Sequence, residues 1–203
     1  MLVVIAILGI LASIIVAYII PKSQQSAFNQ VTAELHQFET AIDSYHADFG
    51  AYPPDNPSVV TRFSTWNTNQ ADYLPPLYYE LEGSVANTTP AGGLTGTFGS
   101  GDAAIAQGDY TRYFGLAGPQ NSSPASLKNY LTNLRPAQAK KLYNTQVYVL
   151  TCSIGTPASS TDQNLNPWNY NRTNPTNNPA TYDLYNSRIL VGNKYYTIGN
   201  WSR

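Results

Sequence analysis

The chain has 203 residues, one domain's worth by the usual prior, and only 11% of them are Asp, Glu, Lys or Arg, with a formal net charge of -1 and a pI near 6.0. With no clustered Lys and Arg to neutralise phosphates, nucleic acid is excluded as a partner. A single cysteine, Cys152, excludes an intramolecular disulfide, while abundant Asn, Thr, Ser, Gly and Pro and 16 tyrosines suit an extracellular surface better than a cytosolic enzyme.

Residues 1–20, MLVVIAILGILASIIVAYII, contain no charged side chain; the first is Lys22. Twenty helical residues reach about 30 Å, the thickness of a bilayer's hydrocarbon layer. Neither the basic leader nor the small-residue cleavage site of a secretory signal is visible, so the segment reads as part of the mature chain. From Lys22 the pattern turns amphipathic. Phe28, Val31, Leu35, Phe38, Ile42, Tyr45 and Phe49 follow at steps of 3, 4, 3, 4, 3 and 4, which places them on one helix face. Gly50 supplies a left-handed cap and Tyr52-Pro53-Pro54 blocks continuation, so the helix should stop near residue 49. Pro21 removes one backbone hydrogen bond and should kink or loosen the rod in its middle.

Residues 55–83 mix turn formers with aromatic patches (TRFSTW, ADYLPPLYYELEG) and read as irregular structure with short helical turns, and residues 84–101 read as a surface loop. Residues 126–143 carry Leu127, Tyr130, Leu131, Leu134 and Leu142 among helix formers and read as two short helical pieces split at Pro136. From Thr145 the signal is β: TQVYVLTC, ATYDLY, then RILV and KYYTI, the last two as a hairpin about Gly192-Asn193. The apolar stripe needs a partner surface, which one face of an antiparallel sheet provides.

These residues resemble the type IV pilins and their secretion-system relatives, the pseudopilins. MLVVIAILGILASIIV is similar to the body of the prepilin signature, DFGAYPP at 48–54 to the turn ending the family's long helix, and NPWNY at 166–170, TYDLYNS at 181–187 and the closing Asn200-Trp201 to the C-terminal pattern of major pseudopilins. The likeness covers the first fifty residues and roughly the last forty. The resemblance implies a Phe-Thr-Leu-Ile-Glu piece ahead of Met1, whose glutamate would pair with a neighbour's N-terminal amine, so the sequence should begin five residues late; the alternative is that Met1 is a true start, with Ile5 where an acid would be wanted. It also aligns the family's midspan proline near Ala17, whereas here the proline is Pro21. Major pseudopilins often bind calcium between the last strands; residues 186–197 contain no Asp or Glu, so no metal or other cofactor is expected.

His36, Glu39, Asp43 and His46, at steps of 3, 4 and 3, could reach one metal ion from a helix face but read better as a solvated edge. Between Lys22 and Arg62 every charge is acidic (Glu34, Glu39, Asp43, Asp48, Asp55), and Lys128, Arg135, Lys140 and Lys141 form a later basic group. Either stacked subunits use this asymmetry or it serves solubility. Asn87, Asn121, Asn171 and Asn200 begin N-glycosylation patterns that a chain this rich in Asn, Ser and Thr produces by chance. Cys152 reads as a buried inert thiol, with an intermolecular bridge as the alternative. No nucleophile elbow, phosphate loop or HExxH is present, and no enzymatic role is expected.

The expected fold is α+β: a long N-terminal α-helix, apolar then amphipathic, packed on a small C-terminal antiparallel sheet as in pilins. The expected parts are an apolar transmembrane or filament-core helix at 1–22, its amphipathic continuation at 23–50, a variable loop and short-helix region at 51–143 and the sheet at 144–203, with 23–203 one globular domain. The resemblance implies a structural subunit polymerising into a surface filament. Leu2, Val3, Ile5, Ile7, Leu8, Gly9, Ile10, Leu11, Ala12, Ile14, Ile15 and Val16 would form its core, Pro21 a kink, the seven-residue stripe the helix-to-sheet packing, and Pro167, Trp168, Tyr182, Asp183, Leu184, Tyr185 and Trp201 the C-terminal motif. Its partners would be further copies, the membrane before assembly, an inner-membrane assembly machine and a methylating prepilin peptidase. Two alternatives stay open: the major pseudopilin of a type II secretion system, and a membrane-anchored domain that never polymerises.

Overall fold

The computed structural model describes residues 2–56, 74–87, 97–99, 104–142, 145–154, 165–191 and 194–201, with side chains from residue 24 onward. Helix α1, Leu2–Phe49, spans 48 residues, about 72 Å at ~1.5 Å per residue, and is helical across Pro21. Gly50 ends it with φ +69°, its N–H donating to the His46 carbonyl at 2.8 Å. A side chain at that φ would be strained, and the prolines that follow cannot continue the helix.

Then come α2 (Leu77–Glu82), β1 (Ala86–Asn87), β2 (Thr97–Phe98), β3 (Ile105–Ala106), α3 (Gln107–Phe114), β4 (Ala139–Lys141), β5 (Tyr148–Leu150), β6 (Asn169–Asn171), β7 (Asp183–Val191) and β8 (Lys194–Gly199). The strands form three small antiparallel sheets, β1-β2-β3, β4-β5 and β6-β7-β8. A bridge between Thr151 and Pro167 joins the second sheet to the lead-in of the third.

The architecture is therefore α+β, with three sheets where a single C-terminal one was expected. β7 also merges the two segments read as separate strands, ATYDLY and RILV, with an irregularity between Asn186 and Ile189. β1 and β2 lie in the region read as loop; their two-residue length leaves no periodicity to read.

Residues 126–138 hold turns, not helices, and 139–141 is strand β4. The physical reason is local competition. Asn129 Oδ1 accepts the Leu131 N–H at 2.7 Å and Gln138 Oε1 accepts the Arg135 N–H at 2.9 Å, so side chains take amides that a helix would have used. Helix α3 was not anticipated, although Tyr110, Tyr113 and Phe114, all buried, stand at helical spacing and Gly115, φ +67°, caps them by donating to the Thr111 carbonyl at 2.9 Å.

The stripe on α1 is buried at Val31, Leu35, Phe38, Ile42 and Tyr45 and half-buried at Phe28 and Phe49. It meets Trp168, Tyr170, Leu184 and Ile189 of the third-sheet region and Leu74, Leu77, Tyr79 and Leu81 around α2 in one hydrophobic cluster. Each fully buried large side chain contributes about 1.5–3 kcal/mol, so this face holds α1 to the rest of the chain. The filament-core side chains from Leu2 to Val16, the Pro21 ring, the TRFSTW patch and the Gly192-Asn193 turn lie outside the described residues.

Candidate functional site

The candidate functional element is α1, and its mount is built step by step from the stripe's edges. At the N-terminal end of the described side chains, Phe28 meets the Tyr196 ring of β8 edge-on, centroids 4.8 Å apart. One and a half turns further along, Glu34 is fully buried. Its carboxylate accepts from Arg135 Nη2 at 2.7 Å, from the Ser153 N–H at 3.1 Å and from the Ser153 hydroxyl, while Gln30 Nε2 also reaches Ser153 Oγ at 2.7 Å. Phe38 packs edge-on against Trp168 at 5.8 Å. Gln37 Oε1 accepts from Gln138 Nε2 at 2.9 Å. At the C-terminal end Asp48 accepts from Lys128 Nζ at 2.6 Å and from the Tyr130 hydroxyl at 2.7 Å. Lys128 and Asp48 are both well exposed, so solvent and salt screen that pair and it adds little to the hold.

Two of the basic residues read as partners for a stacked neighbour, Lys128 and Arg135, are thus paired within the chain to acids of α1. The His36 edge is also only partly solvated. Glu39 is buried and bonded to His36 Nδ1 at 2.8 Å, and the His46 ring stacks on Tyr52 with centroids 4.2 Å apart. Among the described residues no group of three His, Cys, Asp or Glu could hold a metal ion.

The C-terminal motif closes on the end of the helix. Tyr170 donates its hydroxyl to the Pro53 carbonyl at 2.8 Å, and Tyr182 stands edge-on to Tyr52 at 5.0 Å. Asp55 accepts three bonds from the 172–173 turn: the Arg172 N–H at 2.7 Å, the Thr173 N–H at 2.7 Å and the Thr173 hydroxyl at 2.6 Å. Asp183 accepts the N–H groups of Thr176 at 2.7 Å, Asn177 at 2.9 Å and Asn178 at 2.8 Å. Both carboxylates accept from backbone and side-chain donors, which ties down the turns at 172–173 and 176–178. Tyr185 packs against Trp201 at 5.3 Å, Leu184 is fully buried, and Pro167 supplies the bridge to Thr151.

Asn121 and Asn200 are engaged internally. The Asn121 amide donates to the Glu80 carbonyl at 2.8 Å and the Lys128 carbonyl at 2.6 Å, and the Asn200 amide donates to the Tyr182 carbonyl at 2.9 Å. With both of its hydrogens engaged, the Asn121 nitrogen is not available to a glycan while these bonds stand. Cys152 is a free, buried thiol, and burial pushes its pKa up to about 12. A protonated thiol at neutral pH is a poor nucleophile.

Sequence reading missed one centre. Glu80 of α2 is fully buried where α1, α2, α3 and the turn at 119–121 meet. It takes the Tyr45 hydroxyl at 3.0 Å, the Tyr110 hydroxyl at 3.4 Å, the Gln120 N–H at 3.0 Å and the Asn121 N–H at 3.3 Å, and burial pushes its pKa up to about 7. A cleft of about 360 Å³ runs beside α1, lined by Gln37, Thr40, Ala41, Ser44, Tyr130, Thr132 and Asn133. Its lining offers neutral hydroxyls and amides but no acid–base pair.

Taken as a class, the molecule is an α+β domain fixed along the second half of a helix whose first half is an uncharged apolar run. No family model, no curated protein and no solved structure matches the chain. Among the described residues no helix is long and apolar enough to cross a membrane; the side chains of residues 1–20 are not among them.

Proposed function

We propose that this protein is the structural subunit of a helical, type IV pilus-like filament. The reading rests on one observation: a single 48-residue helix carries an uncharged apolar run in its first twenty residues and a domain-binding stripe in its second half. The first half needs apolar surroundings, which lipid supplies before assembly and the same segments of neighbouring copies supply afterwards. Moving between two apolar environments costs little net hydrophobic free energy, while close helix packing adds dispersion contacts. A head-to-tail contact that does not close on itself generates a filament of indefinite length. The mount described above keeps the domain from sliding on its helix as copies stack.

Polymerisation is then the activity, and the partners are further copies and a membrane-bound machine that extracts the subunit. A long cell-surface fibre is favoured over a short periplasmic pseudopilus because the long, variable middle of the sequence, residues 51–143, and the chain's low charge suit surface exposure. The test is a bulky substitution in the apolar half, Gly9→Phe or Ala12→Phe. The filament reading expects the sheared surface fraction to lose the polymer while folded subunit stays in the membrane at wild-type amount. Unchanged behaviour of the variant, with no polymer from either protein, would leave a simple anchored domain.

A further inference from the structure

The end of the domain where β7 and β8 turn differs in composition from the rest of the chain. Among the described residues three large apolar side chains are exposed, Leu127, Tyr195 and Tyr196, and two of them are neighbours on β8. Tyr195 is the most exposed of the three, at 61%. No acid accompanies them in sequence. Residues 186–203 contain Arg188, Lys194 and Arg203 but no Asp or Glu, and residues 21–33 of α1 contain Lys22 and no Asp or Glu. The first acid along α1, Glu34, is buried against Arg135 and Ser153.

The direction of the hairpin fixes where this end points. β7 begins beside the C-terminal end of α1, where Tyr182 stands edge-on to Tyr52 at 5.0 Å. Toward its other end Ile189 pairs with Tyr196, whose ring meets Phe28 at 4.8 Å. The hairpin therefore runs back along α1, and its last described pair, Val191 with Lys194, lies closest to the apolar run. Phe28 is eight residues beyond Ile20, about 12 Å at ~1.5 Å per residue. Each step from Tyr196 toward the turn recovers up to ~3.3 Å, which puts Tyr195 about 9 Å and Lys194 about 5 Å past the end of the run. A bilayer about 40–45 Å thick with a hydrocarbon core of about 30 Å leaves a headgroup layer of about 5–7 Å on each side. With Ile20 at the hydrocarbon boundary, Lys194 lies inside that layer and Tyr195 within a side chain's length of it.

We propose that the tip of the β7–β8 hairpin is a lipid-headgroup contact, which Tyr195 enters with its ring while Lys194 meets anionic headgroups. The contact rests on the membrane-inserted state proposed above and names what the domain touches in that state. A tyrosine suits the layer because its ring is apolar and its hydroxyl takes a hydrogen bond. The lysine adds attraction to anionic lipid, and the acid-free segments around it add no repulsion. The contact holds the domain down on the membrane surface and restrains its swing about α1 before assembly.

The test is hydroxyl-radical footprinting of the full chain in liposomes, read by mass spectrometry at single tyrosines. One set is phosphatidylcholine alone and the other carries about 30% phosphatidylglycerol. Flotation on a density gradient shows in each case whether the liposomes hold the chain. Labelling of Tyr195 should fall about threefold to tenfold from the zwitterionic to the anionic set, with Tyr52 unchanged. Lys194→Glu should abolish that difference while the variant still floats. Equal labelling of Tyr195 in both sets, on a chain that floats, would overturn the contact and leave the membrane-inserted reading standing. A chain that does not float would overturn both. Protection that follows the protein-to-lipid ratio instead of the anionic lipid would assign the patch to a second copy and equally overturn the lipid contact. The wild-type comparison stands by itself if the variant fails to fold.

Discussion

Removing the Glu34 carboxylate tests how the domain is held on its helix. Glu34 has no exposed side-chain surface, and it joins α1 to two segments more than one hundred residues away, at Arg135 and Ser153. Glu34→Ala deletes the bond to Arg135 and leaves the Ser153 N–H and hydroxyl without their acceptor; at about 1.5–3 kcal/mol for the first and about 1–3 for the stranded donors, the loss should be about 4 kcal/mol. Arg135→Ala leaves Glu34 buried with its two Ser153 donors. Because the arginine is half exposed the loss is smaller than for a fully buried pair, about 2 kcal/mol. If the pair acts as a unit, the double variant should cost about as much as Glu34→Ala alone, an interaction energy of about 2 kcal/mol. The assay is urea denaturation of the four proteins in the same detergent, followed by near-ultraviolet circular dichroism of the packed aromatic rings. Additive losses, or a Glu34→Ala cost below about 1 kcal/mol, would refute this account of the mount.

Two glycines should respond in opposite senses. Gly83 has φ +80° and a Cβ there would stand 2.9 Å from the Lys128 carbonyl oxygen, so Gly83→Ala should lower stability by about 2 kcal/mol or more, read as a lower denaturation midpoint. Gly108 lies in α3 with nothing within 4 Å of such a Cβ, so Gly108→Ala should raise stability by about 0.5–1 kcal/mol in the same assay. Cys152, with its thiol pushed up to about 12, should react with iodoacetamide at pH 8 far more slowly in the folded protein than in denaturant. Equal rates would show the thiol to be accessible.

What the sequence made legible follows from the range of each signal. The α1 stripe was readable because its period is local and repeats through Phe28, Val31, Leu35, Phe38, Ile42, Tyr45 and Phe49, and the Gly50 stop carries its own chemistry. The hairpin of β7 and β8 was readable for the same reason. Pairing between distant segments left no such trace: Asp48 with Lys128 and Glu34 with Arg135 are 80 and 101 residues apart, so the charge blocks could be seen but their partners could not. The turns of residues 126–138 were misread because Asn129 and Gln138 act through geometry, not composition. Glu80 did leave a signal, since it shares a helical face with Leu77 and Leu81, whereas Glu82 on the same short helix is not fully buried. An acid inside an apolar face is a buried acid that needs donors.

The filament claim is tested most directly by cryo-electron microscopy of fibres sheared from cells that make this protein. The account predicts a helical fibre whose subunit density follows this chain, with the apolar half of α1 bundled at the axis and the α+β domain outside. A sheared fraction without fibres, while the protein remains in the membrane, would contradict it.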